Sequence, residues 1–286
     1  MNTTQTSPTT NVSNVTLIVG GTGKTGRRVA EQLTARGIPV RLASRSASPR
    51  FDWEDEGTWG PVLEGVESMY ITYYPDLAVP GAAENIRRLA TRAVQSGVRR
   101  IVLLSGRGEH QVLPAERAVR ESGAAFTILR ASWFAQNFSE GHLLDPILQG
   151  ELAFPAGDIA EPFIDVEDIA DVAVAALTDA KHAGKIYELS GPRLLTFAEA
   201  VAEISEASGR PVRYVPISTE EYGAAIAPYV PADYAAFLVD LFSQILDGHN
   251  AYLSNGVQLA LGREPRDFRD YARAAAASGA WGAATT

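Results

Sequence analysis

The 286-residue sequence contains no cysteine, which removes disulfides, thiolate nucleophiles, iron–sulfur clusters and cysteine zinc sites from consideration. Lysine is almost missing as well. Only Lys24, Lys181 and Lys185 occur, and arginine carries the rest of the positive charge. The formal net charge of -9 leaves no basic surplus to displace counterions along a phosphate backbone, so we expect no nucleic-acid partner. No apolar run reaches the roughly 18 residues of a spanning helix, and no membrane partner is expected. Four scattered histidines lack metal-ligand spacing, so no metal is expected either. Residues 1–14, rich in Thr, Asn and Ser, have neither the basic start nor the apolar stretch of a secretion signal. We read them as a disordered tail and the chain as soluble and cytoplasmic.

What is present is ordinary globular composition, 46% hydrophobic and 21% charged, at a length near the upper limit for one hydrophobic core. Short β-branched runs alternate with helical periodicity. Val15 to Val19, Ile38 to Ala43, Ser68 to Thr72, Arg100 to Ser105 and Ala125 to Leu129 read as strands. Lys24 to Arg36, Gly81 to Ser96 and Pro114 to Ser122 read as the helices between them, and Phe51-Asp52-Trp53 as part of a loop. This alternation predicts an α/β fold, a Rossmann-type doubly wound parallel sheet. Beyond residue 130 the pattern loosens. Trp133 to Leu148 and Val166 to Leu177 look helical, Lys185 to Leu189 a strand, and Thr196 to Ser208 a helix opened by a Thr196/Glu199 capping box. Val212 to Ile217 gives one more strand in a mainly helical remainder. We expect a nucleotide-binding domain over 15–155, and over 156–286 the remaining strands with a smaller helical lobe covering the open mouth of the sheet.

Gly20-Gly-Thr22-Gly23-Lys24-Thr25-Gly26 follows the first strand and opens the first helix. Glycines there let the backbone turn tightly, approach a diphosphate and aim free helix N–H groups at it. The P-loop alternative, suggested by Gly23-Lys24-Thr25, needs glycine where Ile18 stands and is rejected. The second strand ends in Ser44-Arg45, where NAD-binding proteins place a carboxylate on the ribose 2′-hydroxyl. A guanidinium suits a 2′-phosphate instead, with Ser44 adding a hydrogen bond, so NADPH/NADP+ is favoured over NADH. Lys24 is placed to reinforce the phosphate site.

These segments, together with Ala43-Ser-Arg-Ser46, Phe51-Asp-Trp53, Thr127-Ile-Leu-Arg130, Trp133-Phe-Ala-Gln-Asn-Phe138 and Pro162 to Asp168, resemble the NmrA-like, atypical branch of the short-chain dehydrogenase/reductase superfamily. More narrowly, the chain looks like the reductases of ergot-alkaloid biosynthesis and their bacterial relatives. Leu261-Gly-Arg263, Asp267-Phe and Gly279-Ala-Trp281 carry the resemblance nearly to the C-terminus. It implies NADPH along the glycine turn, Arg45 near the adenosine phosphate, Asp52 beside the cofactor, and a nicotinamide near Tyr73, Ser105 and Ala131 to Trp133. The proline the family often carries after the arginine is replaced here by Ala131.

Ordinary members of the superfamily reduce carbonyls with a Tyr-x-x-x-Lys pair, whose phenol protonates the nascent alkoxide. None of the ten tyrosines has lysine four positions later. Hydride transfer to a cationic C=N⁺ needs no proton donor, so reduction of an imine or iminium in a small-molecule substrate is the favoured chemistry. Proton relay through Ser105, His110 or water keeps carbonyl or alkene reduction, and the dehydrogenase direction, open. A cofactor-sensing NmrA-like regulator without turnover is the alternative from another class. For the substrate, Trp133, Phe134 and Phe163 are candidates for an aromatic wall attracting a cation, with His110 and Asn137 as polar contacts. Asp165 and Asp168 are read as favourable charges at a helix start, without catalytic role. An exposed helical surface leaves a homodimer open.

Overall fold

The computed structural model describes residues 14–282; the expected tail, apart from its last residue, lies outside that range. Six parallel strands form the central sheet in the order β2-β1-β3-β4-β5-β8. They are β1 (Val15–Val19), β2 (Val40–Ala43), β3 (Val66–Ile71), β4 (Arg100–Gly106), β5 (Ala125–Ala131) and β8 (Lys185–Leu189). Side chains alternate across a strand, and both faces of this sheet are covered. Leu17, Val19, Met69, Ile71, Ile101 and Leu103 enter one core layer, while Ile18, Tyr70, Val102 and Leu129 enter the other. The first layer packs under α2 (Trp59–Leu63), α3 (Ala82–Gln95) and α4 (Leu113–Arg120); the second under α1 (Lys24–Ala35), α7 (Val166–Thr178) and α11 (Gly256–Leu261). Helices sit on both faces because parallel strands need crossovers.

The predicted strands and helices up to residue 130 are found within two residues at most ends, and two segments differ from expectation, one in the loop after β2 and one beyond residue 130. The loop after β2 contains α2, whose Trp59 is fully buried and donates its indole N–H to the Asp52 carbonyl oxygen at 2.7 Å. The span Trp133 to Leu148 is not one helix. Phe134 bridges Ile164 in parallel, through main-chain hydrogen bonds from the Ile164 N–H to the Trp133 carbonyl at 2.9 Å and from the Ala135 N–H to the Ile164 carbonyl at 2.8 Å. Two short helices follow, α5 (Asn137–Glu140) and α6 (Leu144–Gln149), separated at an extended Gly141. Pairing with a distant segment thus overrides a helical period.

The appended lobe has its own small sheets. β6 (Glu151–Phe154) pairs in parallel with β10 (Arg213–Pro216), so residues on either side of the expected boundary at 155 share one sheet. β7 (Ala160–Glu161) pairs antiparallel with β9 (Leu195–Thr196). The capping box at Thr196 and Glu199 opens α8 (Phe197–Ser208), and α12 (Phe268–Ala277) packs beside α8. Between β10 and α11, the helices α9 (Thr219–Ile226) and α10 (Ala232–Ile245) bend over the carboxyl ends of the central strands and line the cleft there. The C-terminal segment is tied down by charge. Asp168, fully buried on α7, accepts hydrogen bonds from the Arg263 guanidinium and the Arg266 main-chain N–H, both at 2.7 Å, and from the Arg266 guanidinium. The Arg193 guanidinium likewise joins Asp267 and Glu203.

Candidate active site

One cleft of about 1540 Å³ runs along the carboxyl ends of β1 to β5, the edge at which open α/β sheets bind ligands. Its first end is the glycine turn. Gly20 closes β1 with a φ of +76°, a left-handed conformation that favours glycine, and its carbonyl accepts the Gly23 N–H at 2.9 Å. Gly26 does not line the cleft; a β-carbon there would collide with the Gly20 carbonyl, so its hydrogen lets α1 press onto the turn. The N-cap of α1 is Gly23, and no side chain caps or places negative charge on its first turn. Free N–H groups and the helix dipole therefore point toward the cleft wall formed by Gly20, Thr22, Gly23, Lys24 and Thr25. Burial lowers the Lys24 pKa. Its neighbours Arg27 and Arg28 are engaged by Glu140, at 2.6 and 2.8 Å. The backbone fits a diphosphate.

Ser44 and Arg45 follow at the end of β2, both on the cleft. The exposed Arg45 guanidinium lies 5.5 Å from the centre of the Tyr74 ring. The Asp52 carboxylate is taken up by Arg50 at 2.5 Å and by the Glu54 N–H at 3.2 Å, which makes it a fastening of the cleft wall. That Glu54 hydrogen bond, with Arg50 beside it, holds Asp52 below the usual carboxylate range. Tyr73 packs 4.5 Å from Trp53, and its phenol oxygen accepts the Asn85 amide N–H at 2.7 Å.

Ser105 sits at the end of β4, buried on the cleft floor. Its hydroxyl donates to Glu116 at 2.7 Å, and Glu116 in turn takes two hydrogen bonds from Arg130, at 2.9 and 2.7 Å. The Ser105 hydroxyl is thus turned toward a carboxylate already paired with arginine. The other candidate relay, His110, is not brought to the site: it is exposed in a 3₁₀ turn before α4 and does not line the cleft. A loop residue four positions past the strand end turns away once the chain enters a helix.

The second end of the cleft is aromatic. Trp133, Phe134, Phe154, Tyr222, Tyr229, Tyr234 and Phe242 line it, with Asn137 and His142 among them. The Trp133 ring packs edge-on against Phe154 at 5.6 Å, and its indole N–H is buried without a partner. His142 is pushed down to about 4 by burial and by Lys24, so it is neutral near pH 7. Phe163 is not part of this wall. It is buried against Phe138, Phe197 and Phe268 beneath the cleft.

The same end carries acids that the sequence reading did not single out: Asp76, Glu109 and Glu161. Burial pushes Glu161 up to about 7 despite Arg107 and His249 nearby. Burial, reinforced by the charge of Asp76, pushes Glu109 up to about 8. Acidic residues in loops carry no periodic signal and look like solvated surface. Arg107, two residues from Glu109, is buried but engaged by the Asn250 and Tyr252 carbonyls and stacked 4.3 Å from the Tyr252 ring.

The profile of the NAD(P)H-binding family matches residues 20–180, and that of the NmrA-like family residues 110–272. Agroclavine dehydrogenase of Claviceps fusiformis is 33% identical over 89% of this chain and 95% of its own. The uncharacterised oxidoreductase YesF of Bacillus subtilis is 33% identical over 92% and 96%. Among solved structures, the NADPH-dependent quinone oxidoreductase QOR2 of Escherichia coli, complexed with NADPH, superposes with a TM-score of 0.75, at 24% identity over 90% of this chain and 98% of that one. No helix among the described residues is long and apolar enough to cross a membrane. A glycine turn opening an uncapped helix, a doubly wound sheet and two matching family profiles place the chain in the NmrA-like family, as an NAD(P)H-dependent oxidoreductase.

Proposed function

We propose that the protein is an NADPH-dependent reductase that delivers hydride to the carbon of an imine or iminium group in a small organic molecule. One observation carries the reading: the sequence holds no Tyr-x-x-x-Lys pair, and the Ser105 hydroxyl on the cleft floor donates to Glu116, a carboxylate already held by Arg130. Bound NADPH supplies the hydride. The chain's own residues do the rest. The α1 N-terminus and Lys24 receive the diphosphate, and Arg45 presents a guanidinium to the 2′-phosphate. Ser105 offers its lone pairs to a donor on the cofactor or substrate, and Glu116 with Arg130 fixes its rotamer. Tyr73, Trp133 and Phe134 provide the flat apolar walls that exclude water.

A cleft of about 1540 Å³ exceeds the usual 300–1,000 Å³ of a one-ligand pocket. That room for a second molecule beside the dinucleotide favours turnover over a cofactor sensor. Transfer of deuterium from 4-deuterated NADPH to one face of a cyclic imine tests the reading. Label in the product at a single face is expected. NADPH bound tightly but unconsumed against a panel of cyclic imines overturns it in favour of a sensor.

A further inference from the structure

Glu161 ends β7. It is 3% exposed, and the surface it keeps opens on the cleft. A carboxyl group buried to this degree is ordinarily held by a cation or by several hydrogen-bond donors. Among the described residues the Glu161 carboxyl group accepts no hydrogen bond and forms no ion pair, and only two charged groups bear on it, Arg107 and His249. The fold sets it beside the carboxyl ends of β4 and β5. The carbonyl of the next residue, Pro162, accepts the Ser132 hydroxyl at 2.6 Å, and the Arg107 N–H reaches the Ala131 carbonyl at 3.0 Å. Ser132 and Arg107 line the same cleft as Ser105 and Trp133.

Both neighbouring cations are fastened to other acceptors. Arg107, also 3% exposed, donates to the Tyr252 carbonyl at 3.0 Å and to the Asn250 carbonyl, and its guanidinium stacks 4.3 Å from the centre of the Tyr252 ring. His249 turns to Asp247 and, at 3.2 Å, to the Gly108 carbonyl. Neither is free to close on Glu161. The surroundings are unmatched in other respects: the Arg107 Nε–H and the Asn250 Oδ1 are buried without a partner, on two residues that also line the cleft. Buried polar groups are almost always hydrogen-bonded, so a donor, an acceptor and a carboxyl group left open together mark where polar atoms of a ligand complete the site. A carboxyl group that no donor reaches keeps its proton more readily, because its anion would lose hydration without replacement.

We propose that Glu161 is a catalytic acid of the cleft, which hands its proton to the nitrogen of a neutral imine as hydride reaches the adjacent carbon. The inference rests on the reductase reading and extends it from iminium ions, which need no proton, to imines that arrive uncharged. The imine carbon gains hydride from NADPH, the reductant, which is left as NADP+. The C=N π pair moves to nitrogen, the Glu161 O–H bond breaks and an N–H bond forms. The carboxylate left behind lies in the field of Arg107 and His249, which steadies it until it takes a proton from solvent. Arg107 and Asn250 are then positioning residues, whose unmatched atoms hold the substrate against the acid.

One readout is independent of turnover. In NADP+-loaded protein, the infrared carbonyl-stretch band of a protonated carboxyl group is expected to disappear between about pH 6 and 8 and to be missing from Glu161→Gln. The lack of any such band that depends on Glu161 overturns the acid. Turnover is then compared for a permanent cation, 2-methyl-3,4-dihydroisoquinolinium, and a weakly basic neutral imine, 1-trifluoromethyl-3,4-dihydroisoquinoline. An acid holds its proton below its pKa, so wild-type kcat for the neutral imine should fall toward about tenfold per pH unit above about pH 7, while kcat for the cation should not. At about pH 6, Glu161→Gln should lower kcat for the neutral imine at least about tenfold more than kcat for the cation and flatten the pH profile. A merely structural role would move both substrates alike. Equal losses, or a wild-type profile for the neutral imine that is flat, overturn the proposal. Should the variant fail to fold, the two wild-type profiles decide alone. Reduction of the cation together with a flat profile for the neutral imine removes the acid and leaves the reductase reading standing. Reduction of neither substrate removes both.

Discussion

The two ends of the cleft manage charge by different means. At the glycine turn, the groups offered to a ligand are main-chain N–H groups at an uncapped helix start, with Lys24 and Arg45 beside them. They come from two short stretches, 20–26 and 44–45, at the ends of neighbouring strands. At the far end the offer is made by side chains alone, aromatic rings and carboxylates drawn from the loops after β3, β4 and β5 and from α9 and α10. A polyanion is held by dipoles that local backbone geometry creates. The far end offers side chains that only the assembled lobe brings together.

If that separation is real, substitutions should sort by region. The largest effect is expected from Asp168→Ala, which leaves two arginines of the C-terminal segment without their buried partner. Loss of one member of such a network costs about 3–5 kcal/mol. Denaturant unfolding should show it, with NADPH affinity of the folded protein within about twofold of wild type, because the glycine turn is untouched. Affinity that falls in step with stability would break the comparison. Arg45→Ala comes next: NADPH binding should weaken by about 1.5–3 kcal/mol, the value of hydrogen bonds to charged groups, with unfolding and NADH binding little changed. Equal losses for both cofactors would remove the 2′-phosphate from its role.

The smallest effect sharpens the substrate end. The Glu109 carboxyl is raised in the folded protein to about 8 from an ordinary 4.5, so between those values the native state holds more protons than the unfolded chain. Stability contributed by the protonated acid is therefore present below the lower value and is lost as pH rises through the higher one. Glu109→Gln should accordingly match wild type in acid and exceed it in melting temperature increasingly from about pH 5 to 8. A difference that is flat with pH would place Glu109 in contact with solvent or with a cation.

Legibility followed the range of the interactions. The turn at Gly20 to Gly26 could be read because strand, turn and helix are contiguous, and Arg45 because a β-strand of known length fixes where it emerges. Trp133 to Leu148 misled because its helical spacing of apolar residues is equally satisfied when Phe134 pairs with Ile164 and two short helices follow. Phe163 and Trp133 are alike as residue types, yet one fills the core and the other faces the cleft. His110 belongs to the right loop, but the chain turns into a helix before its ring can reach the floor. Asp76 and Glu109 gave no signal, since nothing marks an acidic loop residue as part of a cleft until another part of the chain forms the opposite wall.

The order of residues alone determined that this chain builds a doubly wound sheet, opens its first helix with a glycine turn and lacks the usual phenol–lysine acid, because each of these depends on periodicity or on neighbours within a few positions. Tertiary structure decided which side chains share the cleft with the cofactor. Adjacent strands carry Asp76 and Glu109 to one cleft, helices more than a hundred residues later supply part of its wall, and burial there raises both carboxyl groups above the ordinary range.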